Sequence, residues 1–178
     1  MATLEPVPAL TRPDLLADPV ADALTGWPAD HAAGVGVAEI DPALADTAAF
    51  CEAYGVPLDA SANCVVVEGR RAGESTFAAC VILATTRADV NGVVRRHLGA
   101  RKASFASMDA AVAATGMEYG GITPIGLPAD WPVLIDPAVL AAGEVVIGSG
   151  VRRSKLLLAG TLLAERPGAL VLDGLAQS

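Results

Sequence analysis

The segment Met117–Pro128 of this 178-residue chain combines glycine, proline and a hydroxyl residue in an order suited to a backbone-lined pocket. Its paired glycines, Gly120 and Gly121, free the backbone to take positive φ angles and let a ligand approach closely. Pro124 fixes its own φ and removes a donor, so the loop is shaped rather than floppy. Two consecutive turns joining buried strands would explain the same composition, and both interpretations stay open at this point.

The order of these residues resembles a family motif. Residues 120–126 read Gly-Gly-x-Thr-Pro-x-Gly and follow Thr115-Gly116. This arrangement is similar to the Thr-Gly and Gly-Gly-x-Ser-Pro-x-Gly pattern of the YbaK/prolyl-tRNA synthetase editing-domain family, with Thr123 keeping the hydroxyl of the usual serine. Leu98–Lys102 also resembles the family's Leu-Gly-Ala-Lys-Lys turn, and the likeness extends from Leu58 to Leu158.

The resemblance implies a compact α/β domain around a partly closed β-barrel, with the glycine loop at the mouth of a pocket. It also implies hydrolysis of wrongly charged aminoacyl-tRNA at the acceptor end, without metal or cofactor. The resulting hypothesis is a free-standing trans-editing deacylase that clears a small mischarged amino acid. The alternative is a catalytically inactive module of the same fold that binds an aminoacyl or nucleotide ligand, or a synthetase partner.

The first hairpin strand departs from the family's pattern at one position. In many members a lysine near the start of this strand faces the pocket, and the register puts Asn63 there. An amide offers a neutral hydrogen bond about half as strong as that of an ammonium, so electrostatic stabilisation of a transition state should fall. This departure keeps the inactive module open, and a turn residue entering the strand is the structural interpretation of the same asparagine.

The other candidate site residues belong to the loops. We expect the backbone amides of Gly120 and Gly121 to donate to a carbonyl oxygen, and the hydroxyls of Thr115, Thr123 and Ser149 to orient a water. The expected substrate-binding residues are small or hydroxylic: Thr115, Gly116, Pro124, Gly126, Ser149 and Gly150. A Gly-Ser-Gly sequence around Ser149 is equally typical of an ordinary tight turn. Cys64 lacks a histidine nearby in sequence and reads as a buried thiol rather than a nucleophile.

Two basic groups are candidates for contact with tRNA phosphates, which is a sequence-blind interaction. The first group comprises Arg95, Arg96, His97, Arg101 and Lys102, and the second comprises Arg152, Arg153 and Lys155. Cations in the last turn of a helix also favour the helix dipole, which gives the first group a purely structural explanation. No aromatic residues interleave either group, so a dedicated nucleic-acid surface is not indicated.

The totals exclude several classes of protein. The net charge of -8 is concentrated in residues 1–61, which hold ten acidic residues and one basic residue, so general nucleic-acid binding is not favoured. The two histidines and three separated cysteines predict no metal site. No apolar run approaches the roughly 18 residues that would span a bilayer, and a cytoplasmic protein is expected. The oligomeric state stays open.

The chain is expected to form one domain over residues 1–178, with a loose tail over residues 1–10. Six or seven strands interleaved with helices predict a mixed, curled sheet with helices around it. The family resemblance implies that such a sheet forms a partly open barrel. A hairpin is predicted from strands at 64–68 and 76–84, with a long loop at 69–75. The other predicted strands are 35–40, 102–105, 133–135, 145–147, 155–158 and 169–172. Helices are predicted at 11–25, 42–54, 85–98, 108–114, 137–142 and 161–165.

Overall fold

A computed structural model describes all 178 residues as a mixed α/β fold. It contains seven α-helices and eleven strands, which form three sheets of four, five and two strands. The α/β class is therefore confirmed. The prediction of one curled sheet of six or seven strands, or a partly open barrel, was wrong in strand number and closure, since the strands divide among three open sheets.

The elements have the following bounds. The strands are β1 (Val7–Pro8), β2 (Gly36–Glu39), β3 (Ala62–Arg71), β4 (Glu74–Leu83), β5 (Arg87–Ala88), β6 (Lys102–Phe105), β7 (Val133–Ile135), β8 (Glu144–Gly148), β9 (Ser154–Ala159), β10 (Ala169–Val171) and β11 (Ala176–Gln177). The helices are α1 (Asp18–Thr25), α2 (Ala29–Ala33), α3 (Thr47–Tyr54), α4 (Arg95–His97), α5 (Met108–Thr115), α6 (Pro137–Ala141) and α7 (Gly160–Ala164).

The five-stranded sheet is built on the predicted hairpin. Its order is β10-β7-β4-β3-β6, with β3 antiparallel to β4 and β6. The predicted long loop was wrong, because the pairing continues to Arg71 and Glu74 and leaves only Ala72 and Gly73 in the turn. Both turn residues have positive φ, 52° and 80°. This is the pattern of a type I′ turn, which matches the twist of the strands.

The four-stranded sheet, in the order β1-β2-β9-β8, meets the hairpin at one point. Ser61, just before β3, forms a parallel bridge with Val146 of β8. A cluster of 23 buried apolar residues draws on both sheets, for example Leu156 of β9 and Val81 of β4, so the two sheets share one core. Ala9 is 1% exposed at the end of the predicted tail, and β1 pairs with β2.

Local signals determine several helix ends. The side chain of Ser107 accepts from the amide of Ala110 at the start of α5, and Gly116 ends that helix in the left-handed conformation, as predicted. The predicted helix at 85–98 begins later, because the carboxylate of Asp89 accepts from the amides of Gly92 and Val93. A π-helical turn at Val90–Val94 precedes α4 there. None of the helices is long and apolar enough to cross a membrane.

The hairpin turn generates a stability prediction. Ala72 has a φ of 52°, and the left-handed conformation costs a residue with a β-carbon about 1–2 kcal/mol. Because asparagine tolerates this conformation, Ala72→Asn should raise the free energy of unfolding by about 0.5–1 kcal/mol and the Tm by about 2–4 °C. Thermal unfolding followed by circular dichroism measures the change. Ala72→Val is the opposing control and should lower the Tm; a Tm for Ala72→Asn below that of wild type would contradict the turn assignment.

Candidate functional site

The main cavity lies where the start of β3, the ends of β8 and β6, and the segment before α3 come together. Its volume is about 370 Å³. Most of its wall is apolar and much of it is small, including Ala45, Ala62, Ala106, Ala111 and Gly148. Its two charged lining residues are Asp46 and Lys155. A mostly apolar wall with a few converging polar groups is the usual composition of a small-molecule site.

Asn63 lies in this cavity wall. Its side-chain oxygen accepts a hydrogen bond of 2.7 Å from the hydroxyl of Thr47, in the first turn of α3. The amide NH₂ group of Asn63 donates to no protein acceptor, so its donors remain available to a ligand. The register of β3 thus brings Asn63 to the cavity.

The cavity's ammonium comes from a different strand. Lys155, in β9, is only 8% exposed, and its Nζ donates to the carbonyl oxygen of Ala45 over 2.8 Å. The same Nζ lies 5.1 Å from the ring centroid of Phe50, within cation–π range. This position differs from the predicted surface contact with phosphate. The sequence does contain a signal for this burial, because Lys155 is the one charged residue in the apolar run Ser154–Ala159. Apolar strands of this kind are usually buried on both faces.

The environment of Lys155 shifts its titration. Burial lowers the pKa of the Lys155 ammonium below its usual 10.5, because the charged form loses hydration. Cys51 and Asp46 attract the charge and act against this shift, whereas Arg152 repels it. Lys155 takes part in none of the salt bridges of the protein.

The two glycines of the predicted loop have different positions. Gly120 lines the cavity with a φ of +87°, and its N–H has no backbone acceptor. The N–H of Gly121 donates instead to the carbonyl of Glu118 over 3.0 Å, so it is not available to a ligand as expected. A β-carbon on Gly121 would lie 2.8 Å from the backbone of Val151. Gly121 therefore serves close packing of two loops.

The three predicted hydroxyls are buried outside the lining of the cavity. Thr115 donates to the carbonyl of Ala111 and accepts from the amide of Met117, which closes the end of α5. Ser149 bonds to the carbonyls of two residues in its own turn, at 3.0 and 3.1 Å. The hydroxyl of Thr123 has no hydrogen-bond partner. None of the three is placed to orient a water in this cavity, contrary to the expectation for all three.

The remaining predicted loop residues also lie outside the main cavity. Pro124 and Gly126 line a second cavity of about 230 Å³. Gly116 ends α5 with a φ of +68°, and a β-carbon on Gly150 would lie 2.4 Å from the side chain of Ala17. Of the predicted catalytic and substrate-binding residues, the structure brings Asn63 and Gly120 together at the main cavity.

The second basic group is largely engaged within the protein. Arg152 lies 3.4 Å from the carboxylate of Asp46 and donates to the carbonyls of Tyr119 and Pro42. Arg153 donates to the carbonyl of Asp14. Both guanidinium groups thus connect segments of the protein, and the Arg152 partners Asp46 and Tyr119 belong to the cavity lining. This differs from the expected contact with tRNA phosphates.

The first basic group is larger than the sequence indicated. The antiparallel register puts Lys102 opposite Arg70, and the amide of Arg101 donates to the carbonyl of Arg70 over 2.9 Å. Arg71 donates to the carbonyl of Gly99 over 3.1 Å. Arg70 and Arg71 thus join Arg95, Arg96, His97, Arg101 and Lys102 in a basic patch at the hairpin end. Arg70 and Arg71 are distant in sequence from the other members, so the sequence pattern did not indicate that they belong to the patch.

Two exposed aromatic side chains stand at the cavity. Phe105 is 61% exposed and Tyr119 is 53% exposed, and both belong to the lining. Sequence analysis missed them because they come from separate elements and do not interleave the basic residues. Cys64 also belongs to the lining, but burial strongly raises the pKa of its thiol. A thiolate nucleophile is disfavoured there. No group of three or more histidine, cysteine or acidic side chains could hold a metal ion.

The burial of Lys155 generates a second stability prediction. A buried charge without a counter-ion costs folding free energy, so Lys155→Met should raise the free energy of unfolding at pH 7 by about 1 kcal/mol. Because the pKa of Lys155 is lower in the folded protein than in the unfolded chain, the unfolded chain binds more protons between the two values. Wild-type stability should therefore rise with pH toward 10.5, and Lys155→Met should lose this dependence.

Urea unfolding at pH 7 and at pH 9.5 tests both statements. The exposed Lys102→Met variant is the matched control, because Lys102 and Lys155 are the two lysines of the chain. An Lys155→Met variant that is less stable than wild type at pH 7 would show that the hydrogen bond to Ala45 outweighs the cost of burial.

Comparison with known proteins gives a consistent result. The sequence profile described as an aminoacyl-tRNA editing domain matches residues 41–165. No curated protein matches the chain. A solved structure described as a proposed trans-editing enzyme for prolyl-tRNA synthetase is similar at 22% identity and a TM-score of 0.73, covering 88% of this chain and 94% of that one.

A second solved structure, from work on computational grafting of epitopes onto scaffold proteins, is similar at 23% identity and a TM-score of 0.72. It covers 88% of this chain and 95% of that one. These structural likenesses show the fold, and the profile covers most of the chain. The resemblance drawn from the glycine loop is confirmed, and the protein belongs to the aminoacyl-tRNA editing domain family.

Proposed function

We propose that this protein is a trans-editing aminoacyl-tRNA deacylase, which hydrolyses the ester of a small amino acid mischarged on tRNA. The observation that carries the proposal is the 370 Å³ cavity, whose lining includes many small side chains, the buried Lys155, and Gly120 with a backbone amide that has no backbone acceptor. Hydrogen-bond donors in a water-poor site are suited to an oxygen that gains negative charge.

The walls set the size of the substrate. Alanine and glycine lining residues leave room for an aminoacyl group, but the whole volume of about 370 Å³ must also admit part of the ribose. A pocket discriminates by size chiefly through exclusion of larger groups. A small amino acid is therefore the expected substrate.

The mouth of the cavity suits the end of a nucleic acid. Exposed Phe105 and Tyr119 offer faces on which the terminal base can stack, a contact worth about 1–3 kcal/mol per base. From Phe105, β6 leads to Lys102 in the basic patch, and three residues of strand span about 10 Å. The patch is thus positioned for phosphates adjoining a terminal nucleotide at the mouth.

Deacylation of a panel of correctly and incorrectly charged tRNAs tests the proposal. Rapid release of one small mischarged amino acid supports it. If the folded protein releases nothing from a broad panel, the deacylase is excluded for those substrates. Binding of the same aminoacyl-tRNAs without turnover would then favour the inactive binding module, with Asn63 in place of a lysine as its physical reason.

The two exposed aromatic residues of the cavity lining give a kinetic prediction. Phe105→Ala and Tyr119→Ala should each raise KM about tenfold or more and leave kcat nearly unchanged, because stacking holds the base equally in the ground and transition states. Steady-state deacylation measures both constants. Met108→Ala is the control, since Met108 is 52% exposed but lies outside the cavity lining. A fall in kcat with constant KM would contradict a stacking role.

The basic patch gives a salt-dependence prediction. Arg101→Ala and Lys102→Ala should weaken tRNA binding and each reduce the slope of log K against log salt by about 1, because each removes one phosphate contact. Fluorescence anisotropy at several salt concentrations measures the slope. Arg87→Ala is the control, because β5 follows the end of β4 that is remote from the hairpin turn. Unchanged slopes would place the phosphates elsewhere.

A further inference from the structure

We propose that Lys155 is a catalytic residue whose ammonium donates to the carbonyl oxygen of the bound aminoacyl ester. This inference rests on the proposed deacylase function and assigns the group that stabilises charge in that reaction. The cation, Lys155, belongs to β9, whereas β3 contributes the neutral amide of Asn63 to the cavity wall.

The strand register places Lys155 and Asn63 in one row. Ser61 is bridged in parallel to Val146, so the residues two positions further along are Asn63 and Gly148. Gly148 is in turn the antiparallel partner of Lys155. Steps of two residues keep the same face of a strand, and Asn63, Gly148 and Lys155 all line the cavity. A cation on β9 therefore reaches the cavity that a residue at position 63 reaches from β3.

The hydrogen bonding of Lys155 is incomplete. An ammonium carries three N–H donors, and the carbonyl of Ala45 accepts one of them. The side chain is buried and forms no salt bridge, since the carboxylate of neighbouring Asp46 pairs with Arg152. A buried charge with unsatisfied donors is costly. An oxygen of a ligand in the cavity would satisfy these donors and offset that cost.

A purely structural lysine fits these contacts less well. The carbonyl of Ala45 could be satisfied by a neutral donor, and the carboxylate in the cavity lining, Asp46, is paired with Arg152 rather than with Lys155. The positive charge of Lys155 contributes to binding or to a reaction only if a negative charge develops on a group next to its ammonium. An ester carbonyl that becomes an oxyanion meets this condition.

The step balances as a hydrolysis. Water attacks the ester carbonyl carbon, and the carbonyl π electrons move to the oxygen that faces Lys155. When this tetrahedral species collapses, the bond to the ribose oxygen breaks and that oxygen takes up the proton lost by the water. The products are the free amino acid and tRNA with a free ribose hydroxyl. Lys155 keeps its protons throughout, and the N–H of Gly120, which has no backbone acceptor, is available as a second donor.

Kinetics with matched variants test the assignment. Lys155→Met should lower kcat about 10²–10³-fold, as for the loss of an oxyanion donor, whereas Arg87→Met, outside both the cavity lining and the basic patch, should match wild type. After subtraction of spontaneous ester hydrolysis, wild-type kcat should fall as pH rises through the lowered pKa of Lys155. The charged groups around it are Asp46 and Arg152, with the thiol of Cys51. In Lys155→Arg the fall should move to higher pH.

If the role of Lys155 were only structural, the pH at which kcat falls would not change in Lys155→Arg. Wild-type deacylation together with an unchanged kcat in folded Lys155→Met would overturn the inference and leave the proposed function intact. A wild type that deacylates no member of the panel would instead remove the proposed function itself. Circular dichroism establishes that each variant is folded.

A measurement on the wild type avoids dependence on any variant that fails to fold. With ¹³Cε-lysine labelling the chain gives two signals, and Lys102→Arg identifies the one from Lys155. Titration with 3′-alanylamino-3′-deoxyadenosine, which has an amide in place of the ester, should shift the Lys155 signal and raise its pKa. If amide signals of the cavity wall shift and Lys155 does not, the inference fails; if no cavity signal shifts, the proposed function loses support.

Discussion

Three consecutive residues before and at the start of α3 hold the walls of the cavity together. The carbonyl of Ala45 accepts from Lys155 of β9, the carboxylate of Asp46 pairs with Arg152, and the hydroxyl of Thr47 donates to Asn63 of β3. Because these contacts come from neighbouring residues, a displacement of this segment would change all three at once. The polar geometry of the site therefore depends on the position of one short segment.

The glycine motif stabilises the cavity from its other side by close backbone packing. The amide of Gly150 donates to the carbonyl of Gly121 over 2.7 Å, and the amide of Glu118 donates to the carbonyl of Gly150 over 2.9 Å. A β-carbon on Gly148 would lie 2.5 Å from the same Gly121 carbonyl. The glycines thus allow two loops to meet backbone to backbone. The motif identifies the fold, although Gly120 is its only glycine that lines the main cavity.

The difference between local sequence patterns and long-range packing explains which features of the structure the sequence could predict. The hairpin, β6 and α5 follow from local patterns, namely apolar runs, the Ser107 cap and the glycine at the end of α5. The buried position of Lys155 depends on packing of α3 and the residues before it across β9, which is a contact distant in sequence. Residue type alone grouped it with exposed Arg153. The apolar run of β3 predicted the strand but left the face of Asn63 open, and pairing with β4 and β8 brings Asn63 to the cavity wall.

The cavity contains a buried ammonium, whereas the chain as a whole is acidic. The protein carries a net charge of -8, and most of the excess acid lies in residues 1–61, from which α3 also comes. Yet Asp46, at the N-cap of α3, makes no cap hydrogen bond because its carboxylate is directed to Arg152. The Asp46 carboxylate therefore pairs with Arg152 and forms no salt bridge with the ammonium of Lys155. Local pairing, rather than total charge, makes this cavity suited to an oxygen that gains negative charge.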